Sequence, residues 1–110
     1  MIYSETQVVA EIDGVDVRQL RVWVRKGWIV PAASDGEARF DDLDLARIRL
    51  VAQLQDELQI GEDALPVVLS LLDQLHGARR ELRSLADAIE RQPEDIRRQV
   101  LASFRGRREG

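Results

Sequence analysis

Arg18, Arg21 and Arg25 fall within about 60° of one another when wound at about 100° per residue. Three guanidinium groups on one face of a short helix suit phosphate contacts or bidentate reading of guanine. They equally suit a solvated flank that offsets nearby acids. A second constellation is acidic: Asp56 and Glu57, Glu62 and Asp63, then Asp73. Glu62 and Asp63 sit where a helix begins, and acids there favour the helix dipole. Asp56 and Glu57 fall at a helix end, where acids are slightly unfavourable, so they invite a functional reading. His76 stands alone, without cysteine or a second histidine, and reads as a helix-surface or interface residue. Ser4, Ser34, Ser70, Ser84 and Ser103 have no nearby base, and no glycine-rich phosphate loop is present. No catalytic, cofactor or metal constellation emerges, and a non-enzymatic protein is expected.

Short helices must position these groups. Ser4 with Gln7, and Asp16 with Gln19, have capping-box spacing. Val8, Val9 and Ile12 follow the first cap, and the Asp13-Gly14 turn ends that helix. Val17, Leu20, Trp23 and Val24 give the second helix its apolar face, and Gly27 closes it directly after Arg25 and Lys26. Two β-prone runs then flank Asp35-Gly36, the signal for a two-stranded wing, with Pro31 holding the first strand to an edge. Trp23 and Trp28 are expected to anchor the wing. Asp41 or Asp42 caps a third helix striped by Leu45, Ile48, Val51, Leu54 and Leu58, and Gly61 is expected to end it.

A long fourth helix is predicted from about Asp63 to Arg91, with Pro66 in its first turn. Leu65, Leu72, Arg79 and Ala86 form one seven-residue series; Val68, Leu75, Leu82 and Ile89 form the other. Leu65, Val68, Leu72, Leu75, Leu82 and Ile89 are therefore the candidate dimer seam. Pro93 restarts a short last helix to about Phe104, and Arg105 to Gly110 reads as a frayed tail. The expected organisation is a domain over 1–61, a dimerisation or partner helix over 62–92, and a C-terminal helix with tail over 93–110.

The chain has 110 residues, 45% of them hydrophobic, enough for one small domain and too many for full disorder. Net charge is −4, which argues against gripping nucleic acid by bulk charge. No long apolar run or basic leader appears, so neither a membrane span nor a signal peptide is expected. The lack of cysteine suits a cytoplasmic location.

The order helix, turn, helix, wing, helix, long heptad helix resembles MerR-type regulators. Residues 14–23, GVDVRQLRVW, are similar to that family's G-V-S-x-x-T-L-R-x-Y stretch. Residues 27–31, GWIVP, resemble its G-L-L-x-P, and the run from Asp35 to Ile48 resembles G-x-R-x-Y-x-x-x-D-L-x-R-L. The fold so implied is mostly α: a winged helix-turn-helix with a small two-stranded wing and a long C-terminal heptad helix. Glu57-Leu58 followed by residues 67–75, VVLSLLDQL, looks like the chaperone-modulator family CbpM, across roughly residues 3–90.

That resemblance implies binding to the J-domain of a DnaJ-like, CbpA-type co-chaperone and inhibition of its activity. It implies a homodimer too, and an association with the nucleoid only through the partner. The candidate J-domain surface is Asp56, Glu57, Glu62, Asp63 and Asp73. The alternative is a small MerR-type transcriptional regulator reading DNA with Arg18, Arg21, Arg25 and Arg39. The wing weakens it: positions that are basic in DNA-binding relatives hold Ala33 and the Glu37-Ala38 pair, among Asp35, Asp41, Asp42 and Asp44.

Overall fold

The computed structural model describes residues 1–109, with side chains described through Arg107. Among them the order is α1 (Glu5–Glu11), α2 (Val17–Arg25), β1 (Ala32–Ser34), β2 (Glu37–Arg39), α3 (Asp42–Asp56), α4 (Leu65–Glu90) and α5 (Glu94–Glu109). The chain divides into two compact units, Met1–Leu69 and Ser70–Gly110.

The first unit is built as its capping residues dictate. Ser4 and Gln7 close a reciprocal box on α1, and Asp16 and Gln19 close another on α2. A third box forms on α3 between Asp41 and Asp44. Each one satisfies backbone N–H groups that a helix start leaves without partners. Gly14 and Gly27 hold positive φ at 81° and 79°, where a Cβ would strain the backbone, and so turn the chain after α1 and α2. Asp35 and Gly36, both left-handed, form the two-residue turn of the wing, which pairs Ala32 with Arg39 and Ser34 with Glu37. Tyr3 adds an isolated antiparallel bridge to Phe40, with paired hydrogen bonds of 2.7 and 2.9 Å.

The core is wholly apolar: Val8, Leu20, Ile29, Phe40, Ile48, Val51 and Leu65 lose nearly all their surface, and Trp23 and Trp28 are buried beside them. Both tryptophans therefore serve as packing, as their spacing indicates. Arg47 Nε donates to the Trp28 carbonyl, tying α3 to the segment that enters the wing.

Three boundaries differ from the sequence expectation. The third helix stops at Asp56 instead of running toward Gly61, because Gln59 takes the left-handed conformation at φ 55°. Its side chain donates to the Asp56 carbonyl at 2.9 Å, and Ile60 N–H bonds back to Leu54. A glutamine thus performs the stop that glycine usually performs, and Leu58 is left exposed off the stripe.

The head domain also reaches further than residue 61. Leu65 and Leu69, on the first turns of α4, are buried in the first unit, so Leu65 is a core residue and not part of an accessible seam. Finally, α5 continues through the stretch expected to fray: residues 105–109 are helical, with cationic Arg105 and Arg107 near the C-terminal end where the dipole favours them. Gly110, the end of the expected tail, lies outside the described residues.

Among the described residues of the second unit no apolar side chain is buried. Leu71, Leu75, Leu82 and Leu85 of α4 are exposed, as are Ile96, Val100, Leu101 and Phe104 of α5. The exposed positions Leu71, Leu75, Leu82 and Leu85, with Ala78 and Ile89, follow alternating steps of four and three. That stripe keeps the Val68–Leu75–Leu82–Ile89 series. It replaces the Leu72–Arg79–Ala86 series by its neighbours one residue earlier, which removes the charge from the seam. Leu72 itself is half-buried.

Candidate functional site

Charged side chains line several grooves on the first unit. One lies among the start of α1, helix α2 and the wing, with a volume of about 330 Å³, and holds Glu5, Arg21, Glu37 and Arg39 together with the Ser4 and Thr6 segment. Arg21 Nε donates to Glu5 Oε1 at 3.0 Å, and Arg21 Nη2 reaches the same oxygen at 2.8 Å. The hydrogen bond that Glu5 accepts, then its charge, pushes the Arg21 pKa up. Arg39 pairs with Glu37 at 3.2 Å; residues two apart on a strand share a face. Arg18 and Arg25 are exposed, and neither has an ion-pair partner among the described residues. The three arginines of α2 thus share a helix face as their spacing requires, but their electrostatic states differ.

The second groove, about 370 Å³, lies where α1 ends and α3 ends. It gathers Glu11, Asp13, Asp56 and Glu57, with Arg49 as its one cation and Ile12 in its lining. Asp56 and Glu57, adjacent in sequence, are joined here by two carboxylates more than forty positions earlier. Glu11 carries the same signal that marks Asp56: neither α1 nor α3 has a basic residue in its last turn, and both end on acids. Asp13 carried none, since the Asp13-Gly14 pair reads as a turn. Gly14 lies against this groove; a Cβ there would come within 3.9 Å of Asp56 Oδ2.

The other acids of the expected J-domain surface do not join it. Glu62 is bound to Lys26 at 3.2 Å, and that ammonium lies 5.1 Å from the centre of the Trp28 ring. Glu62 therefore lines a different hollow, beside Arg18 and Asp16. Asp63 is exposed just before α4. Asp73 belongs to the second unit. Among the described residues no group of three or more metal-ligating side chains is assembled. Among the described residues no helix is long and apolar enough to cross a membrane.

A helix behind a tight glycine turn, a two-stranded wing and a third helix that shares their apolar core define a winged helix-turn-helix fold. Comparison with protein families agrees: the MerR HTH family regulatory protein model matches residues 5–87. The chain belongs to that family. Neither a curated protein nor a solved structure matches it.

Proposed function

We propose that the chain is a non-enzymatic chaperone modulator of the CbpM type, acting in the cytoplasm on the J-domain of a DnaJ-like, CbpA-type co-chaperone. The observation that carries this reading is the acidic groove of Glu11, Asp13, Asp56 and Glu57. J-domains present a basic helix to their Hsp70 partner. A concave surface with four carboxylates against one arginine attracts such a helix at long range and, once occupied, occludes it from Hsp70. Glu62, Asp63 and Asp73 then act as peripheral charges that speed encounter and hold little of the affinity.

The protein works as a homodimer in this proposal. Antiparallel pairing of the exposed α4 stripe sets Leu71 against Ile89, Leu75 against Leu85 and Ala78 against Leu82, all in one register.

The second reading, a DNA-binding transcriptional regulator, is favoured by the unpaired Arg18 and Arg25 on the helix that enters the major groove in this class of fold. Titration against the cognate J-domain separates the two. Neutralising the groove by Glu11→Gln, Asp13→Asn, Asp56→Asn and Glu57→Gln is expected to weaken binding by about 1–3 kcal/mol, where at least one carboxylate pairs with a desolvated cation. The set Arg18→Gln, Arg21→Gln and Arg25→Gln is expected to leave it unchanged. Loss of binding in the arginine set alone refutes the groove assignment. A discrete complex with a palindromic DNA at physiological salt, lost in the arginine set, promotes the second reading.

A further inference from the structure

We infer that Glu5 and Glu37 mask Arg21 and Arg39 on the helix-turn-helix face, weakening its hold on a nucleic-acid backbone. Arg21 and Arg39 lie in one groove, and each is matched there by its own carboxylate at 2.8 and 3.2 Å. Arg21 donates an Nε hydrogen bond to Glu5 and sets Nη2 in ion-pair contact with the same oxygen. Those donors belong to the planar fork with which a guanidinium grips phosphate or the edge of guanine. Glu5 is the first residue of α1 and Glu37 the first of β2, so both acids come from the elements flanking the arginine helix.

The masking is a matter of charge. An exposed ion pair of this kind is worth little in itself. Each carboxylate nevertheless cancels a cation that would otherwise release a counter-ion from DNA, and it repels an incoming phosphate. Of the four cations on this face, Arg18 and Arg25 remain uncompensated. The proposal is independent of the J-domain reading, since it concerns the opposite question of what this face refuses.

The test uses the full chain carrying Glu5→Gln and Glu37→Gln, titrated with a short duplex of arbitrary sequence at several salt concentrations. Two restored phosphate contacts per protomer steepen the plot of log K against log salt by about 1.8 and tighten binding roughly 60-fold at 0.1 M salt. A control pair, Glu81→Gln and Asp87→Asn on α4, makes the same change in net charge and is expected to shift affinity less than about threefold, because neither acid is paired with Arg21 or Arg39 and the change unmasks no guanidinium. Adding Arg21→Gln and Arg39→Gln to the unmasked variant should return it to the parent. Unfolding midpoints of all variants report whether the loss of Glu5 from the first turn of α1 has disturbed the fold; a variant below the parent is replaced by Glu37→Gln alone, expected to gain half the slope. Equal shifts from the groove pair and the control pair overturn the proposal. So does a parent that already binds with the full slope of four cations.

Discussion

If the chain pairs through α4 as proposed, Leu75→Glu combined with Leu82→Glu is expected to yield monomers without unfolding the head. In a single chain Leu75 keeps 45% of its surface and Leu82 keeps 65%. Neither contributes much to the stability of an isolated protomer. Wholly burying a leucine is worth about 1.5–3 kcal/mol, so covering what these two leave exposed contributes roughly 2–3 kcal/mol per chain and about 3–6 per dimer. Losing that amount raises the dimer Kd by at least about 100-fold, before any cost of desolvating four carboxylates in the seam. Sedimentation at micromolar concentration reads the mass directly. Trp23 and Trp28, both buried in the first unit, supply an independent readout of the head, and their emission should not move. A doubly substituted chain that still sediments as a dimer refutes the seam. A monomer with shifted tryptophan emission refutes the separation of head from stripe.

Three further outcomes follow from the first unit. Gly14→Ala meets no steric clash but forces an L side chain to φ 81°, so a loss of about 1–2 kcal/mol in urea unfolding is expected, and Asn at the same position should lose less. Asp16→Ala removes the acceptor for Gln19 N–H and should cost about 1 kcal/mol by the same assay, whereas Asp16→Asn should cost little. Burial, then the neighbouring Asp41, raises the Asp44 pKa despite the hydrogen bond from the Asp41 backbone. A carboxyl whose folded pKa lies above its unfolded value binds its proton more tightly when folded, so its contribution to stability grows as pH falls through that pKa. Asp44→Asn keeps an acceptor for Asp41 N–H. It should be more stable than the parent at neutral pH, with an advantage that shrinks on acidification; a constant advantage from pH 7 down to about pH 3 would sink this account.

Local chemistry was the legible part of the chain. Ser4 with Gln7, Asp16 with Gln19 and the Asp35-Gly36 turn each lie within four residues, and each forms as its spacing demands. The end of α3 was not legible, because Gln59 adopts a conformation that its residue type disfavours, supported by its side-chain bond to Asp56 and the Ile60 N–H bond back to Leu54. The α4 stripe was half legible: two neighbouring leucine registers exist, at Leu71 and Leu72, and only the burial of Leu65 and Leu69 in the head decides which face remains open. The acidic groove was visible at Asp56 and Glu57 but not in its entirety. Its other half comes from the end of α1, and the two helix ends meet only through tertiary packing. Glu37 was legible as an acid standing where relatives are basic, but its pairing with Arg39, and that of Glu5 with Arg21, are specified by the groove they share.

The bridge between Tyr3 and Phe40 makes the head a closed ring of chain. Each amide of the pair donates to the other's carbonyl, so the two bonds hold the same closure. Closing a ring of about forty residues costs roughly 2 kcal/mol more in chain entropy than closing the four-residue turn of the wing. The hairpin and the capped helices are therefore early and local events in folding, and the Tyr3 latch comes late. Opening reverses that order. Amide hydrogens of Tyr3 and Phe40 should exchange with solvent together and ahead of the helices, and Phe40, seated in the core, ties that release to the inner packing of the head. The wing is then a flap on a latch, held at one side by its own turn and at the other by the first residues of the chain.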